Sequence, residues 1–152
     1  MATINATLSV SSSDLASSPL SLSKTMTMTK AGSSNGLEFT SGLVRRKLTS
    51  TTQIDLVTTG AQMYGTPTAT TNANKLYIKN TGSSSTDFIT IGLGDATGGE
   101  ELDDGTSQIT LGKLYGGEWM LIPYHGATNV GDVLVKPSTA EATTIEWMLF
   151  FE

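Results

Sequence analysis

Lys75-Leu76-Tyr77-Ile78-Lys79-Asn80-Thr81-Gly82 and Ile145-Glu146-Trp147-Met148-Leu149-Phe150-Phe151-Glu152 bound the half of the chain that decides its fold. Within that span lie both tryptophans, three of the four tyrosines and three of the four phenylalanines. Aromatic side chains bury the most apolar area per residue, so this half is expected to hold most of the core. Leu76 and Ile78 fall on one side of an extended chain and Tyr77 on the other, the period of a strand. After the polar turn Thr81–Thr86 the chain returns through Asp87–Gly94 with Ile89, Ile91 and Leu93 in phase, which reads as a β-hairpin.

Gln108–Leu114 is a further strand, broken at Tyr115-Gly116-Gly117. Glu118–Tyr124 is apolar on both faces and is expected to be a central or interface strand. Pro123 lacks an amide hydrogen and should mark its end. Gly131–Pro137 and Thr144–Phe151 complete this half. The closing run Trp147–Phe151 is more apolar than one buried face requires, so part of it is expected beneath a second subunit.

Working back toward the N-terminus, Ile4, Ala6, Leu8 and Val10 alternate with polar residues and predict a strand buried on one side. Residues 1–14 are expected to form an extended arm ahead of a single domain over 15–152. Leu20, Leu22, Met26 and Met28 alternate again, and the threonines between the methionines favour a pleat over a helix. Shorter strands are expected at Leu37–Phe39, Leu43–Leu48 and Gln53–Val57. Arg45-Arg46-Lys47 concentrates three of the nine cations. Those charges suit an exposed edge strand that discourages unwanted pairing, or a contact with an acidic protein surface. No aromatic interleaves with them along the chain, so nucleic-acid binding is not expected. Eight to ten strands with Gly- and Ser-rich turns, and no helix, predict an all-β, antiparallel two-sheet β-sandwich, jelly-roll-like, with an extended N-terminal arm.

Composition agrees. At 152 residues the chain is long enough for one sizeable core. Charged residues make up 15%, against about 25% in an average globular protein, and 42 serines and threonines fill the gap. Threonine suits a half-exposed pleat and serine suits turns. A hydrophobic content of 38% and a net charge of -5 argue against a disordered polymer. The absence of cysteine excludes disulfides, thiolate metal sites and cysteine nucleophiles. Met1–Asn5 lacks the basic-then-apolar pattern of a secretory signal, and no apolar run approaches the roughly 18–20 residues of a membrane helix.

Catalytic chemistry finds little to use. His125, the one histidine, sits between Tyr124 and Gly126 and reads as a turn residue. No Gly-x-Ser-x-Gly presents a nucleophile, and one imidazole cannot build a transition-metal site. Asp95–Gly105 gathers five acids and three glycines, but their spacing departs from the EF-hand pattern, so a solvated loop is favoured over a calcium site. Glu118 and Glu146 would have to supply any carboxylate-pair hydrolysis. The sequence therefore reads as a non-enzyme with no cofactor and no metal.

Three stretches carry a resemblance: Leu76–Gly82, Leu111–Pro123 and Ile145–Phe150. The first holds an Ile-x-Asn-x-Gly strand, and the second reads Gly-x-Leu-x-x-Gly-Glu-x-x-x-Ile-Pro, close to the hairpin pattern Gly-x-x-Leu-x-x-Gly-Glu-x-x-x-Ile-Pro. Over residues 75–152 the chain resembles small β-sandwich structural proteins of tailed-bacteriophage virions. The resemblance implies a capsid decoration (cement) subunit, a homotrimer on the capsid surface, made in the host cytoplasm and bound to the major capsid protein and to itself. Ile4, Leu8, Arg45, Arg46, Lys47, Trp147, Phe150 and Phe151 are then the expected partner contacts, with no membrane and no direct nucleic-acid contact. The alternative is a tail-fibre or carbohydrate-binding head, with Tyr64, Tyr77, Tyr115 and Trp119 stacking on sugar rings.

Overall fold

The computed structural model describes residues 3–14, 20–29, 39–57, 73–94, 102, 109–124, 132–140 and 143–151. Among them are eleven strands and no helix: β1 (Thr3–Ser12), β2 (Leu20–Thr29), β3 (Phe39–Thr40), β4 (Val44–Leu48), β5 (Ile54–Val57), β6 (Ala73–Asn80), β7 (Phe88–Gly94), β8 (Ile109–Tyr115), β9 (Trp119–Pro123), β10 (Asp132–Pro137) and β11 (Thr143–Phe151). Every pairing between them is antiparallel. The chain divides into two compact units, Met1–Glu38 and Phe39–Phe151.

The first unit is a two-stranded ribbon in which β1 and β2 pair along their whole lengths, from Thr3 opposite Thr29 to Ser12 opposite Leu20. The expected arm of residues 1–14 is therefore half of a hairpin, and the division of the chain falls after β2 rather than after residue 14. Because side chains alternate across a strand, the register sorts the ribbon by face. Ile4 meets Met28, Ala6 meets Met26, Leu8 meets Lys24 and Val10 meets Leu22 on one face. The opposite face is hydroxyl-rich, and the Thr7 and Thr25 Oγ1 atoms lie 3.0 Å apart across it.

The second unit is a β-sandwich. One sheet runs β5-β10-β7-β8; the other runs β3-β11-β6-β9, with β4 lying farther along the same edge of β11 as β3. Ser41 bridges the break between β3 and β4, its amide donating to the Leu149 carbonyl and its Oγ accepting from the Leu149 amide. From β4 onward the pairing is nested. The first strand pairs with the last, β5 with β10, β6 with β9 and β7 with β8. Leu76 and Ile78 of one sheet and Ile89, Ile91, Val133 and Val135 of the other are fully buried in one shared core, together with Ile145 and Leu149.

The nesting corrects the expected hairpin. β6 and β7 lie in different sheets, so Thr81–Asp87 crosses the sandwich instead of turning a ladder. Tyr115–Glu118 likewise carries the chain from β8 to β9 across the sandwich. The two crossings are fastened to each other at Asn80, which is buried. Its side-chain Nδ2 donates to the Leu114 carbonyl and its Oδ1 accepts from the Gly82 amide. Its backbone amide donates to the Glu118 carbonyl while its own carbonyl accepts from the Gly117 amide. A Cβ on Gly116 would lie 2.5 Å from the Ser84 carbonyl oxygen, and Gly117 holds a φ of 86°, so both positions require glycine. The Asn-x-Gly and Gly-Gly-Glu motifs, far apart in sequence, form one corner.

Two further expectations change. β9 is an edge strand of its sheet, not a central one, although it does end at Pro123. Trp147 and Phe151 belong to the shared core, and Phe150 is also buried within this chain. The apolar surplus of the closing strand is thus covered without a second subunit.

Candidate functional site

Three surfaces among the described residues present chemistry to solvent. The first is the ribbon's apolar face, where Leu8, Val10, Leu22 and Met26 are all exposed and Ile4 is half-buried. The second is β8, the edge of the β5-β10-β7-β8 sheet, which exposes Ile109 at 64% and Leu111 at 38%. An unpaired strand edge with apolar side chains is a template for another strand.

The third is the outer face of the β4-β11-β6-β9 sheet. Register aligns Arg45, Glu146, Lys79 and Trp119 in a single row across four strands. At about 4.8 Å between strands the row is about 14 Å long. The next row places Met148, Tyr77 and Leu121 side by side. Alternation explains the sorting: Met120 and Ile122 of β9 pack on the core, which turns Trp119 and Leu121 outward. Trp119 is 46% exposed, and its ring centroid lies 6.4 Å from that of Tyr77 with the planes tilted by 40°.

Glu146 anchors this face. Tyr77 Oη donates to its Oε1 at 3.0 Å and Arg45 Nε donates to its Oε2 at 3.0 Å. Burial favours the protonated acid, but the hydrogen bonds from Tyr77 and Arg45, with the charges of Arg45 and Lys79, outweigh it and hold the carboxyl below the ordinary glutamate range. For Tyr77, burial and the bond to the Glu146 carboxylate push the phenol up to about 12. Near neutral pH the row is therefore cation, carboxylate, cation and indole, with a neutral phenol beside it. Arg45 is two-thirds exposed, so its ion pair contributes little stability and chiefly fixes where the guanidinium sits.

The remaining expected site residues scatter. Lys47 shares the outer face with Arg45, whereas Arg46 points to the sandwich side of β4 and its charge acts on Asp55. Asp55 itself is raised by burial and by Asp132, with Arg46 opposing. Tyr115 lies on the other sheet, edge-on to Phe88 at 5.4 Å, so it shares no platform with Trp119. Glu118 caps its turn by accepting from the Tyr115 amide at 2.8 Å. Tyr64, His125 and the acids of 95–105 lie outside the described residues. No group of three or more potential metal ligands occurs among the described residues. The separation of cations from aromatics along the chain does not survive folding, because Trp119 stands in the same row as Arg45. No family model matches the chain, and no curated protein matches it.

Proposed function

We propose that the protein is a non-enzymatic structural subunit of a phage virion, a capsid decoration protein that attaches through its N-terminal ribbon. The observation that carries this reading is the ribbon itself, a unit of its own with an exposed apolar stripe. A two-stranded hairpin alone is marginal in water and gains from being covered. Burying the exposed part of Leu8, Val10, Leu22 and Met26 on a shell protein would contribute about 2–5 kcal/mol, using about 1.5–3 kcal/mol per fully buried side chain. That corresponds to an affinity of about 1 mM for one ribbon. Firm attachment then needs several ribbons acting together, which raises avidity without new contacts. The β8 edge supplies a surface for such self-association, and a trimer on the capsid surface satisfies the arithmetic. The nested strand order supports a jelly-roll body, a fold used by viral shell proteins.

The test is co-sedimentation of the full chain with shells of the major capsid protein. The double variant Leu8→Ser, Val10→Ser is expected to lower bound copies at least tenfold while the body stays folded. Undiminished occupancy would remove the ribbon from the attachment.

A further inference from the structure

The outer face of the β4-β11-β6-β9 sheet takes no part in that attachment and has the makings of a separate binding site. Single exposed aromatics are common on soluble proteins and need no explanation. What sets Trp119 apart is its row. A half-exposed indole stands beside Lys79, and Arg45 stands at the far end, held in place by a satisfied carboxylate. The outer side of the other sheet buries Thr90 and Leu134, and its exposed Tyr115 stands edge-on to Phe88, whose ring face already carries the Lys113 ammonium at 4.3 Å.

We propose that this row binds an anionic saccharide, with one pyranose ring on Trp119, its acidic group on the neighbouring Lys79, and the acidic group of a sugar farther along the chain on the outward nitrogens of Arg45. Three features select that ligand. A sugar ring has one apolar C–H face and a rim of hydroxyls, which matches a single flat platform bordered by hydrogen-bond donors. Among the described residues, Arg45, Lys47, Lys75 and Lys79 outnumber the carboxylate of Glu146 on this face, a local excess of positive charge on a chain of net charge -5. Glu146 has both oxygens engaged, so it acts as a positioning residue: it fixes Arg45 by Nε and leaves the other guanidinium nitrogens to meet an acid group.

A single-stranded nucleic acid fits less well. Such sites stack successive bases on several aromatic side chains. Here Tyr77 is tilted away from Trp119, half-buried, and has its hydroxyl committed to Glu146, which leaves one platform.

The experiment is calorimetric titration of the full chain with trigalacturonate and a sulfated heparin tetrasaccharide, against neutral isomaltotriose and a (dT)8 oligonucleotide. Saturable binding of at least one anionic saccharide is expected, at least tenfold tighter than isomaltotriose and weakened by salt. Trp119→Ala should weaken it at least tenfold, and Lys79→Met should reduce the preference for the anionic over the neutral sugar at least threefold. Both side chains lie on the open face, so both variants should melt within about 2 °C of wild type, a shift of under 1 kcal/mol. Binding of neither anionic probe, equal binding of the neutral sugar, full affinity in Trp119→Ala, or tighter binding of (dT)8 would each overturn the proposal. Because the ribbon is untouched by these substitutions, shell attachment should be unaffected, so this test and the attachment test fail separately.

Discussion

The ribbon and the sandwich are written in the same alternating pattern but meet different fates. Ile4, Ala6, Leu8 and Val10 recur at every second position of β1, just as Ile145, Trp147, Leu149 and Phe151 do in β11. Leu8 is 46% exposed, whereas Leu149 is inaccessible. The difference is the layer above. β11 lies in a sheet that faces a second sheet across a shared core, while the described residues of the ribbon unit form a single pair of strands on which only Met28 is buried among the apolar side chains. Alternation therefore specifies that a face is apolar and leaves open what covers it.

Breaking the sandwich at its corner should give the largest effect. Asn80→Ala removes two side-chain hydrogen bonds and orphans the Leu114 carbonyl and the Gly82 amide. At about 1–3 kcal/mol for the buried Leu114 carbonyl, and less for the part-buried Gly82 amide, the expected loss is about 3 kcal/mol. For a chain of this size that lowers the melting temperature by roughly 6–12 °C, readable by calorimetry. A change under 2 °C would show that the corner is held by its backbone bonds alone.

A middle-sized effect is expected at the Glu146 anchor, and it depends on pH. The folded-state value of Glu146 is depressed, so its contribution is present above the ordinary glutamate range and is lost as pH falls through the folded value. Tyr77 behaves in the opposite sense. Its folded value of about 12 keeps its contribution whole below about pH 10, and that contribution is lost as pH rises from 10 toward 12. Tyr77→Phe should cost about 1.5 kcal/mol at pH 7, typical of a hydrogen bond to a charged acceptor. It should also flatten both limbs of a stability–pH profile measured by urea denaturation. Parallel profiles for the two proteins would mean that the bond to Glu146 contributes nothing.

The smallest effect sharpens the contrast from the ribbon's side. Leu8→Ser removes an apolar side chain that is already half in water, so the body's stability should move by less than about 0.5 kcal/mol. A melting curve distinguishes this from core behaviour, in which Leu149→Ala would cost about 2–5 kcal/mol.

Much of this architecture was legible from the pattern of residues. The alternations at Ile4–Val10, Leu76–Ile78 and Ile89–Leu93 each mark a strand, and Pro123 marks an end. Strand partners were not legible. A six-residue polar turn after Asn80 suits a hairpin, and only the long-range pairing of β6 with β9 and β11, and of β7 with β8 and β10, makes it a crossing. The anchor was hidden for the same reason, since Arg45 and Glu146 are 101 residues apart and Tyr77 and Glu146 are 69 apart. The two tryptophans show the limit most clearly. Trp147 sits in a run apolar on both faces, which masks its parity with Ile145 and Leu149 and makes it look like a partner contact. Trp119 had the weaker claim in sequence, and it is the one that stays open to solvent.

The nested pairing has a consequence for how the molecule is made. β11, synthesised after the other described strands, lies between β4 and β6 in the interior of its sheet. Until residue 151 has left the ribosome, β6 lacks one neighbour and β4 lacks its partner, so the earlier strands wait as an open, sticky intermediate. Non-local closure of this kind is slow, which makes the nascent chain most vulnerable to aggregation while the earlier strands are out and β11 has yet to emerge.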